Sequence, residues 1–236
     1  MSKYKKIAKI IEQKIMNGFY DDTGKLPTED VLIKEYQSSR NTIRNAINHL
    51  MRLGLVVSIQ GSGVFLRKGD SEGAINLENF HGLTTQFKNK NVTTKIVSFE
   101  FKKAHEILIW KLKCVPESLV YHINRLRFVD GDPFVVEYTY YNSEVVSGIT
   151  QEIASSSIFA YIREELKLEI GYVDMIISSD ILSSEDAVLL GLEDGMPSLK
   201  TENVEMLRNG KIFACSVDVH HYRRAKFLKL SNYIWE

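Results

Sequence analysis

The 236-residue sequence predicts an α+β protein in two parts. Three observations lead there. The first 66 residues show helical periodicity followed by a short glycine-tipped hairpin. From residue 92 onward, strand-like runs joined by tight turns are interspersed with helices, without the regular βαβ alternation of a parallel sheet. Finally, 30 basic and 30 acidic residues give a formal net charge of zero, which splits into +5 over residues 1–70 and −5 over the rest. A basic head on an acidic body is a pattern that points to nucleic-acid contact.

Within the head, Ile7, Ile11 and Ile15 recur every four residues with Tyr4 and Ala8 beside them, the stripe of an amphipathic helix, and Asn17-Gly18 closes it. The loop FYDDTGKLP carries turn residues and Pro27. Thr28 is placed to cap a second helix over about residues 29–36, whose positive end suits Glu29 and Asp30. After a tight turn at Gln37-Ser38, Ser39 caps a third helix. Its apolar positions are Ile43, Ala46, Ile47, Leu50 and Leu53, and Gly54 stops it. LVVSIQGSGVFL then reads as two strands around Gln60-Gly61-Ser62-Gly63. Three helices and a hairpin in this order make a winged helix-turn-helix over residues 1–68, with the third helix as reading head.

Residues 69–80 are polar, glycine-containing and aperiodic, and are expected to be a linker. The second domain, 81–236, carries strand-like runs at 92–101, 119–129, 134–141, 171–179, 197–208 and 211–222, and helical patterns at 103–113, 156–167 and 183–191. Asp130-Gly131-Asp132-Pro133 and Asn209-Gly210 read as hairpin turns. No internal repeat or low-complexity tract is visible.

No apolar run approaches the roughly 18–20 residues that span a bilayer, and Glu12, Gln13 and Lys14 interrupt any signal-peptide core. The expectation is a cytoplasmic protein with no membrane partner. Cys114 and Cys215 match neither a disulfide framework nor a zinc spacing, and read as small hydrophobes, buried or semi-buried.

Chemistry concentrates in two places. Ser39, Arg40, Asn41, Thr42, Arg44 and Asn45 crowd polar groups onto the start of one helix while Ile43, Ala46 and Ile47 turn inward. Hydroxyls and backbone N–H groups there suit phosphate, and arginines suit guanine edges or phosphate. Gln60 and Ser62 add polar groups beside glycines that permit close approach to DNA. The plain alternative is a solvated helix face with an ordinary turn. In the second domain, Arg125 and Arg127 are two apart on one strand and share a sheet face, with Glu137 across the turn. That arrangement is either a structural ion-pair ladder or an anion site, since a guanidinium donates two parallel bonds to phosphate or carboxylate. Ser155-Ser156-Ser157 before a helix is either an N-cap or a further anion contact. There is no nucleophile elbow, P-loop, dinucleotide fingerprint or metal-binding spacing. The adjacent His220 and His221 point to opposite faces of a strand. No catalytic residue, metal or cofactor is expected.

Residues 4–66 resemble the DNA-binding domain of the GntR family of bacterial transcription regulators. The resemblance rests on Tyr4, Ile7-Ala8, Gly18-x-Tyr20, Leu26-Pro27-Thr28-Glu29, Ser39-Arg40-Asn41-Thr42-Ile43-Arg44, Gly54-Leu55 and Gln60-Gly61-Ser62-Gly63-Val64-Phe65. It implies DNA contacts from Thr28, Ser39, Arg40, Asn41, Thr42, Arg44, Gln60, Gly61 and Ser62. Asp30 departs from the pattern, for the family often has arginine there. Residues 80–230 resemble the UTRA domain of the HutC subfamily, a chorismate-lyase-like antiparallel sheet with helices. The landmarks are Arg125-Leu126-Arg127, Asp130-Gly131-Asp132-Pro133-Phe134, Glu137, Ser157-Ile158-Phe159-Ala160-Tyr161, Ala187–Gly191, Gly195-Met196-Pro197 and Asn209-Gly210-Lys211. The resemblance implies an effector site using Thr84, Thr85, Arg125, Arg127, Glu137, Ser157, Tyr161 and His220. Ala214 stands where relatives usually have glutamate, and His220 where they have tyrosine.

The sequence therefore leads to a ligand-responsive bacterial regulator, in such families most often a repressor. It is expected to bind double-stranded operator DNA as a homodimer and to be modulated by a small anionic effector such as a sugar phosphate or organic acid. The competing readings are a ligand-independent DNA-binding protein whose second domain only dimerises, and a chorismate-lyase-like enzyme.

Overall fold

The computed structural model describes residues 2–16, 18–67, 73–77 and 82–229. The chain divides into two units, residues 1–79 with 227–236 and residues 80–226. In the first, α1 (Lys3–Met16), α2 (Glu29–Glu35) and α3 (Arg40–Arg52) precede an antiparallel hairpin of β1 (Val56–Ile59) and β2 (Gly63–Leu66). The side chains that the four-residue spacing selects do form the core: Ile7, Ala8 and Ile11, Leu32, and Ile43, Ala46, Ile47 and Leu50. Burying each Ile or Leu is worth about 2 kcal/mol, enough for this cluster to fix the angle of α3.

Local chemistry sets the ends of α3. Ser39 Oγ accepts from the Thr42 N–H at 3.3 Å. At the other end Leu55 N–H donates to Leu50 C=O and Gly54 N–H to Met51 C=O, with Gly54 at φ +72°, a Schellman stop. Thr28 sits at the N-cap of α2 in extended conformation, but its side chain makes no capping hydrogen bond. The wing is tied down by the chain entering α2: Leu26 N–H donates to Val64 C=O, and Leu66 N–H to Gly24 C=O.

The second unit runs α4 (Leu83–Gln86), β4 (Val92–Lys103), α5 (Glu106–Leu112), β5 (Leu119–Val129), β6 (Asp132–Asn142), α6 (Gln151–Ser155), α7 (Ile158–Glu164), β7 (Ile170–Ile181), α8 (Ser184–Leu190), β8 (Pro197–Leu207) and β9 (Ile212–His221). Six strands form one antiparallel sheet in the order β4-β5-β6-β9-β8-β7. One face packs on α5 and α8 through Leu108, Leu112, Val120 and Cys215, and through Leu126, Val136, Ala187, Leu190 and Val219. On the other, Ile123, Tyr141 and Ala214 pack with Ala154, Ile158 and Ile162 of α6 and α7.

Although the sequence shows no repeat, the fold does. β4-α5-β5-β6 and β7-α8-β8-β9 have the same order of elements, and the halves meet at β6 and β9. What survives locally is turn chemistry: left-handed Lys113 and Gly191 end α5 and α8, and Gly131 and Gly210, at φ +88° and +84°, turn the two hairpins. Core side chains that pack against different neighbours need not match, so the repeated element order carries no periodic sequence signal.

Three expectations on elements change. The pattern over 156–167 is a shorter α7 preceded by a separate α6, and the helix expected from 103 begins at Glu106 because β4 continues through Lys103. Within the expected linker, β3 (Ile75–Asn76) pairs parallel with β10 (Phe227–Leu228), so β10 groups with the first unit. Two-residue strands carry no periodicity, and the partner lies some 150 residues away in sequence.

Candidate functional site

In the head, burial of Ile43, Ala46 and Ile47 turns Ser39, Arg40, Asn41 and Arg44 outward and leaves Thr42 half-buried. Gln60, Gly61 and Ser62, at the tip of the wing, are exposed, as is Thr28 before α2. Gly61 and Gly63 have φ +76° and +118°, conformations that L side chains resist. The two arginines are not free in solvent. Arg40 Nη2 lies 2.6 Å from Asp30 Oδ1, and Arg44 Nε reaches both Glu29 oxygens at 3.0 Å. Asp30 thus holds one of the proposed contact residues.

In the second unit, period-two alternation and the observed register lay polar side chains in rows across one sheet face. The row Arg125, Glu137, Asp218, Thr201 runs from β5 through β6 and β9 to β8. Beside it lie the rows Arg127, Val135, His220, Leu199 and Ile123, Thr139, Ser216, Asn203. Arg125 and Arg127 are 6% and 4% exposed and share Glu137, through Arg125 Nη2–Oε2 at 2.5 Å and Arg127 Nη1–Oε1 at 3.4 Å. Arg125 Nη1 also donates to Ala154 C=O, and Arg127 Nη2 to Thr84 Oγ1 at 2.9 Å. Thr84 and Thr85 are exposed, so the Thr84 contact marks the solvent side of this corner.

Burial opposes every charge here. It would raise the Glu137 carboxyl, but the two guanidiniums outweigh it and hold that group low. Burial also lowers Arg127, further disfavoured by Arg125, while Glu137 keeps Arg125 firmly charged. Asp218, buried and facing Glu137, is pushed up to about 7. Burial pushes His220 down to about 4, leaving a neutral ring whose Nε2 is 3.2 Å from Thr201 Oγ1.

Thr84, Arg125, Arg127, Glu137 and His220 are thus brought to one sheet face. Ser157 and Tyr161 each have a local partner. Ser157 Oγ accepts from Ala160 N–H as the cap of α7, and Tyr161 Oη donates to Ser147 C=O. Both line a cleft of about 370 Å³ with Ile153, Ser156, Ala160, Glu164 and Glu165. Sequence reasoning did not anticipate Thr139, Thr201, Asn203, Glu205, Ser216 and Asp218. Their polar, alternate positions in β6, β8 and β9 were legible, but not the strand order that joins them to Arg125. Among the described residues no group of three His, Cys, Asp or Glu could hold a metal ion.

Comparisons with known proteins agree with this geometry. Residues 3–66 match the family of bacterial regulatory proteins, gntR family, and residues 88–226 match the UTRA domain. The chain is 32% identical to the uncharacterized HTH-type transcriptional regulator YydK of Bacillus subtilis over 98% of each chain. It is 31% identical to the HTH-type transcriptional regulator GmuR of the same organism, again over 98% of each, and 25% identical to its HTH-type transcriptional repressor NagR, over 95% of this chain and 93% of that one. The crystal structure of YydK covers 98% of this chain and 100% of its own, with a TM-score of 0.79. A helix-turn-helix head, an antiparallel α+β domain with a buried arginine pair, and relatives that are regulators and not enzymes converge on one assignment: the chain belongs to the GntR family of transcription regulators, in its ligand-responsive, UTRA-bearing branch.

Proposed function

We propose that this regulator is a repressor that binds operator DNA as a homodimer and is switched by a small anionic metabolite, such as a sugar phosphate or an organic acid, held at Arg125 and Arg127. The observation that carries the effector reading is a charge imbalance. Two buried guanidiniums share one carboxylate, and the Nε of each has no hydrogen-bond partner among the described residues. A buried unpaired donor costs about 1–3 kcal/mol, and an anion would satisfy both donors and the surplus charge. Thr84, bonded to Arg127, and Thr85 beside it stand at the exposed side of this corner as further contacts. The name of NagR supports the sign of regulation.

On DNA, Ser39, Arg40, Asn41, Thr42 and Arg44 read the major groove, while Thr28, Gln60, Gly61 and Ser62 contact the backbone or minor groove. One winged helix makes too few base contacts for useful specificity, so two half-sites are required. The edge strand β7, which exposes Tyr172, Ile176, Ile177 and Ile181, supports association of two copies. The effector shifts DNA affinity only by its differential affinity for two arrangements of the dimer.

The test is a thermal-shift screen of anions, followed by operator titration with each hit. A hit should raise the melting temperature in proportion to the logarithm of its concentration and weaken operator binding. Arg127→Ala should abolish both effects while still binding operator. Retention of either effect in that variant would place the effector elsewhere.

A further inference from the structure

The two halves of the second unit leave the same position uncovered. Trp110 on α5 and Val188 on α8 each stand three residues before the left-handed residue that ends the helix, Lys113 and Gly191. Around them, Leu108 and Leu112 on one helix and Ala187 and Leu190 on the other are buried against the sheet. Trp110 and Val188, at 79% and 81% exposed, are the two most exposed large apolar side chains among the described residues. Ile107, one turn before Trp110, is 63% exposed. Single apolar residues on a surface are ordinary, but a tryptophan with an apolar neighbour, matched by a valine at the equivalent place on the same side of the sheet, marks a contact face. The halves also differ in charge. Residues 102–113 carry four lysines and one glutamate, whereas residues 180–194 carry five carboxylates and no base. Lys102, Lys103 and Lys111 pair with Glu100, Glu117 and Glu202, which leaves Lys113 with no ion-pair partner among the described residues. On the acidic side, Asp180 pairs with Lys200 and Asp186 accepts from Tyr138 and Ser183. Glu185, Glu193 and Asp194 are exposed and pair with no base among the described residues.

We propose that this face docks the same face of another copy, α5 of each protomer lying on α8 of the other, and that the contact joins two homodimers into a tetramer. The inference rests on the homodimer reading given above and adds a second interface. Two helices side by side on one sheet face can meet their two-fold mates in two ways. One axis sets α5 on α5 and α8 on α8, which opposes Lys113 to Lys113 and carboxylates to carboxylates. The other, running between the helices, sets α5 on α8 twice. It brings Trp110 to Val188 and gives Lys113 the unpaired Glu193 and Asp194. An isologous contact of this kind serves both protomers equally. Burial of the tryptophan supplies most of the affinity, while exposed ion pairs choose the partner and the register. A lipid surface suits the lysines but not the carboxylates of α8, so a second copy fits the whole face better. The face is remote from the arginine pair, because Arg125 bonds to Ala154 of α6 on the opposite side of the sheet.

The experiment is sedimentation velocity of the full chain across the micromolar range. Wild type should pass from dimer to tetramer as concentration rises. Trp110→Glu should remain a dimer throughout, with an unchanged melting temperature because the side chain lies outside the core. Lys113→Glu and Glu193→Lys should each weaken the contact between dimers about three- to ten-fold, and the double variant should recover most of that loss, as coupled charges do. A wild type that stays dimeric at the highest concentration would overturn the inference and leave the homodimer reading intact. So would a tetramer that Trp110→Glu does not dissociate, or a charge loss that the double variant does not recover. A wild-type dimer that Trp110→Glu splits into monomers would also overturn it, because the face would then hold the dimer itself. Flotation of wild type but not Trp110→Glu with vesicles of phosphatidylcholine and phosphatidylglycerol would assign the face to a membrane and overturn it. If wild type is monomeric at every concentration, the homodimer reading fails, and this inference with it.

Discussion

Arg40 Nη2 of α3 lies 2.6 Å from Asp30 Oδ1 of α2, so an aspartate holds an arginine that faces outward from the reading helix. Both side chains are more than half exposed, and such a pair is worth about 0–1 kcal/mol. DNA therefore competes easily for Arg40, but Asp30 stays nearby and repels phosphate. Asp30→Ala is expected to tighten operator binding about three- to ten-fold with little change in stability. Fluorescence anisotropy with labelled operator measures this directly, and weaker binding would show that Asp30 positions Arg40 for DNA instead of withholding it.

Arg44 makes a two-oxygen contact to Glu29 with the planar edge that suits a guanine or phosphate. Its removal should cost about ten- to a hundred-fold in operator affinity, the range of a lost bidentate contact. Since the side chain is 58% exposed, the melting curve should not move. Arg44→Lys restores charge without the fork, and should recover non-specific binding more than specific binding.

Gly63 has φ +118°, and a Cβ there would meet the Lys25 side chain that lies over the Phe65 ring. Gly63→Ala should destabilise the head by about 1–3 kcal/mol. The expected signature is weaker operator binding and a lower first unfolding transition. Effector binding by the other unit should be unaffected, which separate titrations of DNA and ligand can verify.

Glu205 is raised by burial from 4.5 to about 8, so the folded state binds a proton that the unfolded chain has released. Its contribution to stability is therefore fully present below about pH 4.5 and is lost as pH rises toward 8. Replacing it with glutamine removes this pH-dependent loss and should stabilise the effector-free domain on the order of 3 kcal/mol at pH 9 relative to wild type. Urea unfolding of both proteins at pH 5 and pH 9 checks the sign. A difference independent of pH would mean that the carboxyl does not titrate in this range.

Arg125 and Glu137 are both nearly inaccessible. Arg125→Ala strands a buried carboxylate and should cost about 3–5 kcal/mol, whereas Arg127→Ala leaves Glu137 its shorter partner and should cost less. Comparing the two by chemical denaturation separates the structural arginine from the one more available to a ligand.

The sequence by itself determined much of what short windows encode. The isoleucine stripe of α1, the Ser39 cap and the Gly54 stop fix three helices because helix periodicity and capping act over three to five residues. Strand alternation likewise puts Arg125 and Arg127 on one face, whichever strands lie beside theirs. Only the tertiary structure decided what stands opposite them. Strand β9 inserts between β6 and β8, and with that order Asp218 faces Glu137 and Glu205 faces Ala214. The same is true of β3 and β10, which are too short to show a pattern and lie at distant points in the chain. The bond from Tyr161 to Ser147 C=O likewise joins segments that no local pattern links. Pairings between distant segments are set by which faces must be buried together, and a single sequence records each face without recording its partner.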